Sequence, residues 1–249
     1  MIVHGGKAYY GEAIGILLFD ERRYPVLPGD VANASTYDFP VRLKVVRGLV
    51  DVPAPTSVGD FSSYSDDVKR LVCAVEELNE EGVRAIVTAC GFFSGVQDVI
   101  AQASQVPVFT SPLMLIPLIA RMIGPQKKIG ILTASKALLT SDFLESVGVE
   151  ASHNIAIAGA ESCEEFYATH MGGKRTVMDV DLLRSELVEV VQEFHAEHPD
   201  LGALLVECSN FPTFSGDFQK VTGLPVFDYI AFIQLMYASV VQRPYLGFL

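Results

Sequence analysis

Two cysteines stand in matching surroundings. Cys90 follows the apolar run VRAIVTA, and Cys208 follows LGALLVE. The segment VRAIVTACGFFSGVQDVIAQASQVPVF, from Val83, aligns with LGALLVECSNFPTFSGDFQKVTGLPVF, from Leu201. Cys90 and Cys208 (208 − 90), Pro107 and Pro225, and Phe109 and Phe227 all fall 118 positions apart. A second echo joins IGIL at Ile14 to IGIL at Ile129, 115 positions on (129 − 14). Such self-similarity reads as two related halves, each carrying one cysteine at the carboxyl end of a strand. In open parallel α/β sheets ligands sit at that end. Halves packed about a pseudo-twofold axis would place both thiols on one cleft. A thiolate on one side of a carbon acid and a thiol on the other can invert it: one removes the Cα proton, and the other delivers a proton to the opposite face. A free thiol, with a pKa of about 8.5, comes within reach of neutral pH where a helix N-terminus or nearby donors stabilise the thiolate.

The elements that must position these cysteines alternate along the chain. Ile14–Phe19, Val41–Val46, Val83–Ala89, Lys128–Thr133, Ile155–Ala158 and Leu201–Glu207 read as strands. Ser63–Glu80, Leu138–Val147 and Val180–His195 read as helices. This alternation is the signature of parallel sheets covered on both faces, an α/β fold. Cys73, among Leu71, Val72 and Val75, is expected in the core, and Cys163 at a helix start.

Around the cysteines, the amides of Gly91-Phe92 and Ser209-Asn210 are candidate donors to a substrate carboxylate, with Gly91 permitting close approach of the backbone. The polar loop after the first strand adds Asn33 and Thr36 as candidate donors and Arg22 or Arg23 as a carboxylate clamp. Pro28-Gly29-Asp30 reads as a turn. Thr110, Ser111, Thr133 and Ser135 end strands that approach the cleft from both halves, Thr133 foremost.

Composition excludes several classes. The chain has 249 residues, 50% hydrophobic and 19% charged, which argues against disorder. Eighteen Lys and Arg against 30 Asp and Glu give a formal net charge of −12 with no basic stripe, so nucleic acid is not an expected partner. The apolar stretch Pro112–Ile123 is too short to span a bilayer and carries Arg121, so no membrane is expected either. Four cysteines form no disulfide framework, and no secretory pattern opens the chain, so the expected location is cytoplasmic. His195 and His198 lack further ligands, and no phosphate-binding or dinucleotide fingerprint occurs, so neither metal nor cofactor is expected. The expected partners are a small carboxylate substrate and, given apolar surface on a weakly charged chain, a second copy of the chain.

The stretches IGILLFD, TACGF, VPVFTS, KIGILTA, ECSNFP and LPVFDY resemble the aspartate/glutamate racemase superfamily over nearly the whole chain. The family comprises cofactor-independent racemases with isomerase and decarboxylase relatives. The resemblance implies two similar flavodoxin-like lobes with parallel sheets, related by a pseudo-twofold axis, with the active-site cleft between them. Residues 1–112 plus 227–249 would carry Cys90, and 113–226 would carry Cys208. It implies that Cys90 and Cys208 are the catalytic acid/base pair, and it sets Asp20 loosely on a substrate-binding position. The neighbours differ from those of glutamate racemases, which have Asn-Thr and Thr-His where this chain has Gly91-Phe92 and Ser209-Asn210. The expected function is a PLP-independent racemase or epimerase, an isomerase inverting a centre alpha to a carboxylate. The alternatives are a maleate-type cis–trans isomerase with a cysteine nucleophile and a non-catalytic, two-lobed small-anion-binding protein.

Overall fold

The computed structural model describes residues 2–7, 9–172 and 175–248. Met1, Ala8 and Leu249 of the first expected lobe and Gly173 and Lys174 of the second lie outside the described residues. Strands β1 (Ile14–Leu18), β2 (Val41–Val45), β3 (Ala85–Thr88) and β4 (Val108–Phe109) form one sheet in the order β2-β1-β3-β4. Strands β5 (Lys128–Thr133), β6 (Ile155–Gly159), β7 (Leu201–Val206) and β8 (Val226–Phe227) form a second in the order β6-β5-β7-β8. All pairings are parallel, and the registers match: Ile14 lies opposite Ala85 in the first sheet, and Ile129 opposite Ala203 in the second. The internal repeat is therefore a repeated sheet.

The helices are α1 (Asp66–Glu81), α2 (Gln97–Ala103), α3 (Ile116–Ile123), α4 (Ser141–Glu145), α5 (Glu164–Phe166), α6 (Val180–Glu197), α7 (Ser215–Thr222) and α8 (Tyr229–Val240). Helix α1 shows why such segments form. Ser65 caps it by accepting from the Val68 N–H, Asp66 and Asp67 face the positive end of its dipole, and Gly82 ends it at φ +88°. Val68, Leu71, Val72, Val75 and Leu78 make its buried stripe, each such side chain contributing about 1.5–3 kcal/mol. Cys73 is exposed, contrary to the sequence expectation. At about 100° per residue it stands on the far side of the helix from Leu71 and Val75.

Each sheet is covered on both faces, as uniformly apolar parallel strands such as IGILL require. On the first sheet α1 and α2 pack Leu71, Val75, Val99 and Ile100 against Leu17 and Ile86. On its other face α8 brings Tyr229 and Ile233 against Ile14, Ile16, Ala85 and Val87. On the second sheet α6 and α7 cover Leu204 and Val206 with Leu187, Val191 and Phe218, while α3 and α4 cover Ile129, Ile131 and Leu205. Phe227 still pairs with Leu205, and the chain returns to the first sheet after it, at Asp228, whose carboxylate caps α8.

The expected helix Leu138–Val147 shrinks to the five residues of α4. The Thr140 N–H bonds the Leu138 carbonyl, a turn tighter than a helix allows, and Gly148 ends the segment at φ +78°. Among the described residues no helix is long and apolar enough to cross a membrane.

Candidate active site

A cavity of about 310 Å³ opens where the carboxyl ends of both sheets meet. The segment after β1 supplies Phe19, Glu21, Arg23 and Tyr24, and that after β2 supplies Asp51. The segment after β3 supplies Cys90, Gly91 and Phe92, that after β6 Phe166 and His170, and that after β7 Glu207 to Asn210. Both thiols thus line one cavity, and equivalent positions of the repeat reach across it.

The two cysteine turns share a motif. The Phe92 N–H lies by the Cys90 thiol and the Asn210 N–H by the Cys208 thiol, the amide two residues on in both cases. Each contact favours the thiolate. Gly91 and Ser209 also correspond, and each serves the other half. The Ser209 hydroxyl donates to the Ala89 carbonyl at 2.8 Å. At Gly91 a Cβ would run into Glu207 Oε1, so glycine makes room for the neighbouring carboxyl. Cys90 leads into a 3-10 segment, Gly91–Val96, ahead of α2.

Burial pushes the Cys90 thiol up to about 12, the Glu207 charge adding to it, and the same two causes hold Cys208 well above an ordinary thiol. Cys90 is half-buried, whereas Cys208 is 7% exposed. The Cys208 thiol donates to Asn210 Oδ1 at 3.5 Å, and Asn210 Nδ2 donates to Asp30 Oδ2 at 2.6 Å. Asp30 Oδ1 accepts from the Ala32 N–H at 2.7 Å, and burial raises this carboxyl to about 6. With Nδ2 committed to Asp30, Oδ1 of Asn210 must face the sulfur. Glu207 is 1% exposed, its Oε2 accepts from the Thr133 hydroxyl at 2.7 Å, and burial raises it to about 7.

The outer wall is aromatic. His170 lies in a π-helical turn, Tyr167–Met171, with its ring 4.1 Å from Tyr24 and 4.9 Å from Phe166. Burial, followed by the Arg23 charge, holds His170 down at about 4, so it is neutral at pH 7. Arg23 pairs with Glu21 at 2.7 Å.

Cys90, Cys208, Gly91, Phe92, Ser209 and Asn210 are brought together on the cavity. Four other candidates are not, and their side chains are committed elsewhere. Thr133 is fully buried and holds Glu207. Asn33 caps a turn by accepting from the Ser35 N–H and donates to the Val26 carbonyl. Thr36 accepts from the Gly29 N–H and donates to the Asp30 carbonyl. Asp20 accepts from the Gly48 N–H and from Arg22, which also takes Arg22 from the role of carboxylate clamp. Loop polar groups near strand ends satisfy the loop itself first.

Sequence reasoning passed over Glu207, Asp30, Tyr24, Phe166 and His170. For Glu207 a signal exists: an acid ends the apolar run LGALLVE where the paired half has Ala89. Among the described residues no group of three or more His, Cys, Asp or Glu is placed to hold a metal ion.

The family model for Asp/Glu/hydantoin racemase matches residues 42–233. A dimethylsulfoniopropionate lyase of Durusdinium sp. clade D is 30% identical over 94% of this chain and 77% of its own length. Dimethylsulfoniopropionate lyase 3 of Emiliania huxleyi is 29% identical over 94% of this chain, which spans only 61% of that relative. In fold, the chain is similar to unliganded arylmalonate decarboxylase (TM-score 0.54, 16% identity, 94% of this chain and 96% of that one). It is likewise similar to allantoin racemase from Klebsiella pneumoniae (TM-score 0.56, 17% identity, 91% and 87%). With two matching parallel sheets, a thiol from each at one cavity, and most of its length matched by the family model, the chain belongs to the Asp/Glu/hydantoin racemase family.

Proposed function

We propose that this enzyme removes a proton from the carbon next to a carboxylate and expels a sulfide from the adjoining carbon. The substrate would be a small sulfonium carboxylate, dimethylsulfoniopropionate itself or a close homologue. The observation that carries the reading is the make-up of the cavity: aromatic rings and carboxylates around two thiols, in a chain whose relatives are named dimethylsulfoniopropionate lyases. Tyr24, Phe19 and Phe92 put aromatic rings on the cavity wall, where an onium group is favoured, and Glu21 and Asp51 add carboxylates.

In the step, the Cys90 thiolate takes a Cα proton, the C–H electrons form the carbon–carbon double bond, and the C–S electrons leave with the sulfide. Dimethylsulfoniopropionate would yield dimethyl sulfide and acrylate, leaving Cys90 as a thiol. Cys90 is assigned as the base because it is the more exposed residue of the two and, unlike Cys208, has no side-chain acceptor for its proton among the hydrogen bonds of the described residues. Cys208, its proton directed at Asn210, stays protonated on the other side.

A second reading, racemisation or epimerisation, shares the first step and differs in the second. The opposed thiol then returns a proton to the other face before any group leaves. The matched amide contacts at Cys90 and Cys208 favour it, since both thiols are supported alike.

The test incubates the wild-type protein with dimethylsulfoniopropionate in deuterated water and monitors proton NMR and headspace gas. Acrylate and dimethyl sulfide in equal amounts are expected. Deuterium entering Cα of chiral carboxylates, with inversion and no sulfide release, would overturn the lyase reading in favour of the racemase.

A further inference from the structure

The loop after β1 is tied down by the other half of the repeat. The Val31 N–H bonds the Ser209 carbonyl at 3.4 Å, and the Thr213 hydroxyl donates to the Pro28 carbonyl at 2.9 Å. Gly29, at φ +99°, lays its backbone against that of Thr213, where a Cβ would collide. These ties set Asp30, 3% exposed, beside Asn210. Both its oxygens are taken: Oδ1 accepts from the Ala32 N–H at 2.7 Å and Oδ2 from Asn210 Nδ2 at 2.6 Å. A primary amide carries its donor and its acceptor on opposite arms, so fixing one arm fixes the other. The contact with Asp30 therefore leaves Asn210 Oδ1 for the Cys208 thiol, at 3.5 Å. The matching position in the other half, 118 residues earlier (210 − 118), is Phe92, which has no amide to offer Cys90.

We infer that Asp30 decides the role of Cys208: by holding the Asn210 amide with its oxygen towards the sulfur, it keeps that thiol protonated and leaves proton abstraction to Cys90. An oxygen acceptor stabilises an S–H and opposes a thiolate, whereas an amide N–H in the same place would do the reverse. Asp30 acts through Asn210 and is a positioning residue. Replacement by asparagine should invert the arrangement. The Ala32 N–H would keep the oxygen of the new amide, so its NH2 group would point at Asn210. Two NH2 groups cannot satisfy each other, so Asn210 would turn, giving its oxygen to residue 30 and its Nδ2 to the sulfur. The titratable groups that interact with Cys208 are Cys90 from the end of β3, Glu207 from the end of β7, Tyr229 from α8, and Tyr24 and Asp30 from the segment after β1. Tyr24 and Tyr37 interact with Asp30.

This inference rests on the two-thiol reading but not on the substrate, so its test uses none. Alkylation of Cys208 by iodoacetamide, read by peptide mass spectrometry, reports its thiolate population between about pH 6 and 10. Cys90→Ala is the background throughout, so that the other thiol does not compete. Adding Asp30→Asn should speed alkylation of Cys208 about tenfold at a pH of about 8.5 and move the rate profile to lower pH by about one unit. Loss of the Asp30 charge pushes the same way, so the exchange is repeated with Asn210→Ala, where no amide remains to turn. There the gain should shrink to about threefold or less. No gain with Asn210 present, or a gain undiminished without it, would overturn the inference; in the second case Asp30 would act by its charge alone. Proton–nitrogen NMR of the Asn210 side-chain amide in the wild type keeps the inference testable should Asp30→Asn fail to fold. Those signals should move as Asp30 titrates near 6, and signals indifferent to pH through that range would overturn it. Faster alkylation of Cys208 in Asp30→Asn, with a wild type that cleaves no sulfonium carboxylate, would overturn the proposed function and leave the role of Asp30 standing. Sulfonium cleavage with a Cys208 indifferent to Asp30 would do the reverse.

Discussion

The turns after β3 and β7 are the same device built twice and loaded differently. Each ends a buried parallel strand, presents a thiol and points the amide two residues on at that thiol. The residue before the cysteine is Ala89 in one half and Glu207 in the other; the residue after is Gly91 or Ser209. The differences interlock. Glu207 occupies the space that the missing Gly91 side chain leaves, and Ser209 reaches the Ala89 carbonyl. The repeat places two thiols at equivalent positions, and the cross-contacts give them different surroundings. Cys90 is the more exposed residue, and Cys208 donates to Asn210, which Asp30 holds in turn.

The sharpest break in that comparison comes from the thiols themselves. Cys90→Ala should lower sulfide release from dimethylsulfoniopropionate by about 10³-fold, as loss of a positioned base does. Cys208→Ala should lower it by about tenfold or less, as loss of a supporting group. Equal losses in the two steady-state assays would mean that the halves still work as a symmetric pair, as two-base racemisation demands.

Next in size is the dependence of stability on pH. Glu207 has its carboxyl raised from 4.5 to about 7 in the folded chain. The folded state therefore binds more protons than the unfolded one between these values, and stability falls as pH rises through that window. Glu207→Gln removes this loss. The variant should match the wild type in urea unfolding near pH 4.5 and exceed it above pH 7 by up to about 3 kcal/mol, less what the new amide leaves unpaired. A constant difference across pH would contradict the raised carboxyl.

Two smaller effects probe the interlock. Gly91→Ala drives a methyl into the Glu207 carboxyl and should destabilise by about 1–3 kcal/mol. Its counterpart Ser209→Ala loses one hydrogen bond, about 1 kcal/mol. Chemical denaturation of the pair should rank them in that order, and the reverse order would show that Glu207 yields freely. Smallest is Asn33→Ala, which removes a turn cap worth about 1 kcal/mol and should leave turnover unchanged, because that side chain serves the loop.

The fold was legible because uniformly apolar strands repeat in sequence: IGIL at Ile14 and at Ile129 became the central β1 and β5. The two thiols were legible for the same reason, since each sits just beyond its strand. Thr133, Asn33, Thr36 and Asp20 stand off the cavity, because a polar residue near a strand end can face either a ligand or its own surroundings, and sequence spacing does not tell which. Asp30 was hidden inside an ordinary turn signal, although a partner 180 residues away in sequence gives it its place. His170 and Phe166 come from a π-helical turn and its approach, with no periodicity to announce them. Cys73 went astray by a single helical position, enough to carry it from the core to solvent.

In the proposed reaction a thiol takes the proton from the carbon next to the carboxylate. The most direct measurement compares kcat/KM for dimethyl sulfide release from unlabelled substrate with that from substrate deuterated at that carbon, in the wild type and in Cys90→Ala. The wild type should cleave the deuterated substrate distinctly more slowly, and the residual activity of Cys90→Ala should lie far below both. Equal rates for the two substrates, with cleavage persisting in Cys90→Ala, would contradict it.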